Sequence, residues 1–436
     1  MGASSPTSRQ PLPPRTVRAR RPAIALHAHA RALTATLLYL AARPALGDND
    51  LHGRLELQDA AQFASTGSVQ AALGEQLAND ALGNLRLTWE PTWGRFSLQV
   101  HYLVSAEDGP DVALERLTQG LIPEPPPTWL DLTNTFASHG SLLASQSIDR
   151  LAVAYTTSQW VVRLGRQALT WGSGLVFRPM DLFDPFSPSA TDTEYKPGVD
   201  MLYVQRLFAD GSDLQLIAAP RPDSMGGAPS ADASSEALHY RTNLLGHPIT
   251  LLVARDHGDW VSGLGVNGAL GGATWNLELV PTVERGDTRI SGVANISDAV
   301  TLAGRNATVF LEYYRNGFGV RGQALNLEDL PPELLERLVR GQVFSLRRDY
   351  LAAGMTLELS PLLTVSPTLI TDVNDGSLFL LVAASYSLGD DLILAGGLQV
   401  PIGGPGTEYG GVPLSGGNPT RFAPPRQIYL QLRRYF

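Results

Sequence analysis

The chain has 436 residues, 44% of them hydrophobic, no cysteine and a formal net charge of −9. The missing cysteines exclude disulfides, thiolate metal sites and thiol nucleophiles, and the acidic balance argues against nucleic acid or anionic phospholipid as charge-driven partners. Past the N-terminal region there is no run of ~18 apolar residues, so helices are not expected to cross a bilayer, whereas strands apolar on one face are not excluded.

The first element is a secretory signal over residues 1–47. Arg15, Arg18, Arg20 and Arg21 form a basic start, Leu33–Ala42 is apolar, and small residues near Ala45 and Gly47 suit cleavage. The alternative is a cytosolic chain with an Arg/Pro-rich tail, but strand patterns begin directly after Asp48. Seven arginines and no acids leave with the signal. The mature 48–436 region then holds 26 basic and 42 acidic residues, a net −16.

From there the chain repeats segments of ~8–12 residues with an apolar side chain at every second position, the mark of a strand wet on one face. Leu55 and Leu57 alternate with Arg54, Glu56 and Gln58; Phe96, Leu98 and Val100 alternate with Ser97, Gln99 and His101; Val309, Leu311 and Tyr313 flank Phe310 and Glu312. About 18 such segments are expected (16–18), beginning near residues 51, 84, 95, 148, 159, 199, 212, 237, 248, 260, 273, 288, 305, 348, 361, 376, 390 and 426.

The connections alternate in length. Those in odd positions include the long stretches 59–83, 106–147, 170–198, 221–236, 317–347 and 402–425. Those in even positions are mostly short turns rich in Gly, Asp, Ser or Pro, such as Gly246–His247 and Gly271–Gly272; Asn295–Gly304 is a longer example. Long loops on one side and short turns on the other predict an all-β fold: a transmembrane antiparallel up-and-down barrel with short periplasmic turns and long extracellular loops. Trp89, Trp93, Tyr155, Trp160, Tyr386, Tyr429 and Tyr435 fall near the short-turn side, where an interfacial girdle belongs. Two loop stretches, Asp111–Gly120 and Pro331–Gly341, have helical spacing with a Gly stop.

The chain ends Arg426-Gln-Ile-Tyr-Leu-Gln-Leu-Arg-Arg-Tyr-Phe436, with Ile428, Leu430, Leu432 and Phe436 on one face. This ending looks like the C-terminal assembly signal of outer-membrane proteins, which implies the barrel assembly machinery as a partner through the Phe436 strand. Arg434 departs from that pattern and is expected to snorkel to lipid headgroups. Outer-membrane lipids and lipopolysaccharide are the other expected surroundings.

Gly165-Arg-Gln-Ala-Leu-Thr-Trp171-Gly172 followed by Arg178-Pro-Met-Asp181-Leu-Phe-Asp184-Pro185, together with Leu311-Glu-Tyr-Tyr-Arg-Asn-Gly317, resembles a porin-like group of Gram-negative outer-membrane barrels. The group's functions are mostly unassigned, and the wider set includes porin-like and polysaccharide-export barrels. The resemblance therefore implies a fold and a compartment rather than a solute.

Candidate functional residues follow from the alternation. Arg54, Glu56, Arg86, His101, Arg163, Glu278 and Glu312 lie on polar faces and are expected to line the lumen, because a charge on the lipid face costs ~2–4 kcal/mol at mid-membrane. The other reading of these residues is structural ion pairing. The 170–198 segment mixes Phe177, Leu182, Phe183 and Phe186 with Arg178, Asp181, Asp184, Asp192, Glu194 and Lys196. Apolar side chains in a loop need a surface to pack on. The segment is therefore expected either to fold inward and constrict the lumen or to pack on neighbouring loops at the rim.

No histidine sits in a metal-ligand spacing, and no serine elbow, phosphate loop or dinucleotide fingerprint is present, so no metal, cofactor or catalytic residue is expected. The leading functional expectation is a channel for passive or facilitated diffusion of a small solute. A polysaccharide export or binding barrel is the alternative, and an outer-membrane enzyme with a site assembled from distant strands is the third. Strand patterns start close to residue 48, so an N-terminal plug is not expected.

Overall fold

The computed structural model describes residues 51–118, 127–224, 226–322, 325–417 and 419–436; the signal segment expected at 1–47 lies outside the described residues. Eighteen antiparallel strands close into one barrel. They are β1 (Leu51–Phe63), β2 (Leu77–Trp89), β3 (Phe96–Asp108), β4 (Leu142–Thr156), β5 (Trp160–Gln167), β6 (Val199–Leu207), β7 (Asp213–Ala219), β8 (Ser235–Leu244) and β9 (His247–Asp256). The second half comprises β10 (Asp259–Leu270), β11 (Ala273–Glu284), β12 (Asp287–Leu302), β13 (Arg305–Arg315), β14 (Asp349–Ser360), β15 (Leu363–Asp372), β16 (Leu378–Gly389), β17 (Leu392–Ile402) and β18 (Arg426–Tyr435). Each strand pairs with its neighbours in sequence, and β18 returns to β1 with Leu57 opposite Leu432.

Burial follows the period of two. On β11, Leu277 and Leu279 are exposed on the outside while Glu278 between them is buried; on β13, Leu311 and Tyr313 flank buried Glu312 in the same way. The outer face is therefore a band of aliphatic and aromatic side chains, and the mid-strand carboxylates Glu278 and Glu312 point inward. This is the arrangement a lipid-embedded barrel requires. Among the described residues no helix is long and apolar enough to cross a membrane.

At one end the turns are tight. Leu245-Gly246 and Ala303-Gly304 both hold positive φ at their two central residues, the mirror-image turn that matches strand twist. Three connections at the other end are also short, but the remaining loops there carry substructure. Helix α1 (Val69–Ala72) is one turn capped by Ser68, α2 (Pro110–Thr118) follows β3, and α3 (Pro332–Val339) opens on Pro331 and packs Leu334 against Phe318 and Val343.

The structure departs from the sequence reading in four places. β2 starts at Leu77 rather than near 84, because its first turn-distal residues are polar: Asn79 donates to Asp59 on β1 instead of showing an apolar alternation. A seven-residue ribbon, Thr133–His139, pairs with β4 inside a connection that carries no strand signal. β12 runs through Asn295 to Leu302, where a turn was expected; Asn295 faces inward and donates to Glu312 at 3.1 Å, so a turn-favouring residue is used as a lumen ligand. Tyr429 and Tyr435 likewise face inward rather than joining the aromatic girdle: Tyr429 is buried and Tyr435 donates to Glu194.

Candidate functional site

The connection between β5 and β6, residues 168–198, runs inside the barrel. Its apolar residues bury against inward-facing strand residues: Trp171, Met180 and Phe183 join Met201, Ile217, Leu252, Val261 and Val280 in one cluster, and Phe177 joins Tyr314, Tyr350, Ile370 and Phe379 in another. Trp171 stacks on His239 with ring centres 4.7 Å apart and donates to Gln215 at 2.9 Å. Phe177 stacks on Tyr314 at 4.3 Å.

Polar groups fix the segment along its length. Glu312 accepts from the backbone amides of Leu175, Val176 and Phe177 at 2.6, 3.0 and 2.9 Å. Glu278 accepts from the amide of Ser173, and Asn295 donates to the Ser173 carbonyl at 3.0 Å. These groups belong to β11–β13. Nearly opposite them round the ring, β1 and β18 hold the far end of the segment. Arg54 donates to Asp192 at 2.7 Å and to Glu194 at 2.8 Å. Thr191 donates to Gln58 at 3.0 Å, and Arg433 reaches Asp192 at 3.7 Å and Glu56 at 2.8 Å. Gln399 on β17 donates to the Ser189 carbonyl at 2.8 Å. Tyr195 lies under two guanidinium groups, Arg54 at 4.8 Å and Arg86 at 4.2 Å from its ring centre.

Each residue expected at the lumen faces inward. Arg54, Glu56, Glu278 and Glu312 touch or support the segment, and Arg86 donates to Asp149 at 2.5 Å. His101 meets Glu90 at 2.8 Å, and Arg163 is half-buried beside the Tyr203 ring. Of the segment's charges, Asp192 and Glu194 pair with the strand wall. Asp181 and Lys196 pair with each other, Arg178 donates to the Gly174 carbonyl at 3.2 Å, and Asp184 is half-buried with its backbone at φ 52°.

Burial pushes the Asp181 carboxyl up to about 6 and the Lys196 ammonium down, each shift partly offset by the other's charge. Burial also raises Asp184, against the pull of Arg221 and Lys196. Burial would raise Asp192 too, but the bond from Arg54 and the Glu194 amide together hold it below the usual carboxylate range.

Sequence reasoning missed Arg433, Asp149, Arg150, Gln215, His239 and Gln399 as lumen residues. Arg433 was within reach: if Ile428, Leu430 and Leu432 face lipid, then Gln431, Arg433 and Tyr435 face inward. Asp149 was not, because β4 carries a register shift opposite His101 and Tyr102 that places Asp149 out of alternation. Among the described residues no group of three or more His, Asp or Glu is placed to hold a metal ion.

No protein-family model matches the chain, and no curated protein does. Several solved structures share its fold. Acinetobacter baumannii OccAB3 superposes with a TM-score of 0.51 at 11% identity, over 90% of this chain and 100% of that one. Wzi of Escherichia coli, described as an outer membrane protein involved in group 1 capsule assembly and as a carbohydrate-binding β-barrel, gives 0.51 at 8% identity, over 92% and 86%. Pseudomonas aeruginosa OccK5 (OpdH) gives 0.50 at 10% identity, over 89% and 98%. The fold is that of an outer-membrane β-barrel. At these identities the likeness of this barrel to its neighbours concerns fold alone.

Proposed function

We propose that this barrel is an outer-membrane channel for passive or facilitated diffusion of a small solute, with residues 168–198 as its constriction. One observation carries the reading: the segment is tied to nearly opposite sides of the ring by strand carboxylates at one end and by Arg54 and Arg433 at the other. A loop needed only for rim packing would not recruit inward charges from β1, β11, β13 and β18. Arg54, Glu56, Arg86, His101, Arg163, Glu278 and Glu312 are proposed as the lining that positions the constriction. Asp192, Glu194, Asp181 and Lys196, with Arg178 and Asp184, are proposed as the charges within it. The protein is proposed to act as a channel rather than an enzyme. It would be exported by the 1–47 signal and inserted through its Phe436 strand among lipids and lipopolysaccharide.

Single-channel recording of the refolded protein in a planar bilayer tests the proposal. Stable open steps are expected, and shortening residues 173–193 should enlarge them. A folded, heat-modifiable barrel that stays silent in both forms would overturn it.

A second reading is a carbohydrate-binding barrel with a closed lumen. The TM-score of 0.51 to Wzi supports it as well as the equal score to OccAB3 supports the first at the level of fold. Silence in the bilayer together with polysaccharide binding would favour it.

A further inference from the structure

The lumen wall on the short-turn side of the constriction is divided by charge. The sector formed by β1–β8 and β18 holds nearly all the ionised groups, and most of these are engaged with one another, Arg163 beside the Tyr203 ring being an exception. Arg54 is bound by Asp192 and Glu194, Arg86 and Arg150 by Asp149, Arg433 by Glu56, and Arg241 by Asp213. Arg54, Glu56, Arg86 and Arg150 are all buried. Removing a partner from a buried pair strands an uncompensated charge, so these four buried groups are not free to bind a passing ion.

The sector formed by β11–β17 is different. Glu312 fixes which residues of β13 face inward, so Thr308 shares its face, and strand pairing carries that face to Thr356 on β14. Thr356 and Ser366 on β15 exchange a hydroxyl contact at 3.2 Å, and Thr364 stands opposite Ser385 on β16. On the other side, Thr274 shares a hydroxyl contact of 2.9 Å with Ser297. Thr274, Thr308, Thr356 and Ser385 are exposed although they face inward, so this wall is open to water. Among the described residues its single inward charge below the constriction is Glu358, at the turn end, which accepts from Asn306 at 3.0 Å.

We infer that this hydroxyl-lined wall is the track of the channel and that it selects an uncharged, polyhydroxylated solute of sugar size. The inference rests on the channel reading above. A neutral hydroxyl wall exchanges bonds with water and with solute hydroxyls at nearly equal strength, so a sugar can trade its hydration shell stepwise along β11–β16. An ion passing there would give up hydration beside a wall that offers no counter-charge.

Swelling of liposomes carrying the full mature protein tests this with three solutes of matched size: glucose, gluconate and glucosamine. Glucose is expected to enter faster than either charged solute by roughly tenfold, the ratio set by ~1.4 kcal/mol. The double variant Thr308→Val, Thr356→Val should slow glucose by roughly fivefold, the loss of about one hydrogen bond, and by more than it changes ion conductance. Ser385→Ala, which cannot crowd the wall, should do the same to a smaller degree. Entry of gluconate or glucosamine as fast as glucose, or unchanged glucose entry in a folded wall variant, would overturn the inference while leaving the channel standing. No entry of any solute and no conductance would instead sink the channel reading itself.

Discussion

Lys196, the chain's one lysine, places its ammonium 2.7 and 2.8 Å from the two carboxylate oxygens of Asp181, and both side chains are buried inside the barrel. The pair closes the inserted segment on itself, so the segment brings its own internal brace as well as its moorings on the wall.

Lys196→Met leaves Asp181 buried without its partner, a change that costs about 3–5 kcal/mol in buried pairs. The cost falls on the segment, since the strands keep their ladders. The variant should remain heat-modifiable yet be cut by protease within 168–198 and show larger, noisier openings. Wild-type protease resistance and conductance would refute the brace.

Glu312→Ala removes the acceptor of three backbone amides, each of which costs ~1–3 kcal/mol if left unsatisfied. Water entering the lumen will repay part of that. Conductance should rise more than in Glu312→Gln, which keeps a carbonyl oxygen for the amides. Equal effects from the two variants would mean that the charge of Glu312 matters and its acceptor geometry does not.

Gly53 sits where the last residue of the chain meets the first strand. Phe436 donates its amide to the Gly53 carbonyl at 3.0 Å, and a Cβ at Gly53 would lie 2.3 Å from its ring. Gly53→Val should therefore lower the yield of heat-modifiable barrel by displacing Phe436 from the seam. Gly83→Ala, whose new Cβ would meet a leucine methyl at an ordinary 3.6 Å, should not.

The loop after β17 docks through Glu408, which accepts from the amides of Leu346 and Arg347 at 3.0 and 3.2 Å and from the Tyr350 hydroxyl. Burial pushes its carboxyl up to about 7 from an ordinary 4.5. The docked loop thus keeps a proton that the released loop gives up above pH 4.5. Docking is fully favoured below that value and weakens as pH rises towards 7. Cleavage of residues 403–425 by protease should be faster at pH 8 than at pH 5, with the difference abolished in Glu408→Gln; equal rates in the wild type would refute the linkage.

The strand ladder was legible because it is written in a local code. Alternation at Leu277-Glu278-Leu279 or Leu311-Glu312-Tyr313 states both the element and its inward face, and a side chain has nowhere else to go when lipid lies outside. The moorings of the lumen segment were less legible. Glu312 meets Leu175 and Arg54 meets Asp192 across 137 and 138 positions of sequence. Which inward residue meets which part of the segment depends on the curvature of the closed ring, which no local pattern records. The apolar residues Phe177, Leu182 and Phe183 pointed to a packing surface but did not say whether it lay at the rim or inside.

The moorings of the lumen segment also set an order of events. Residues 168–198 leave β5 early in the chain, but Gln399, Gln431 and Arg433, which hold part of the segment, arrive only with the last two strands. A half-assembled ring would carry this strap with one end loose, and the aperture would reach its final width only when the terminal strand closes. For the proposed channel, completion of the wall and calibration of the opening would then be a single event, with a leakier stage in the nascent barrel before it.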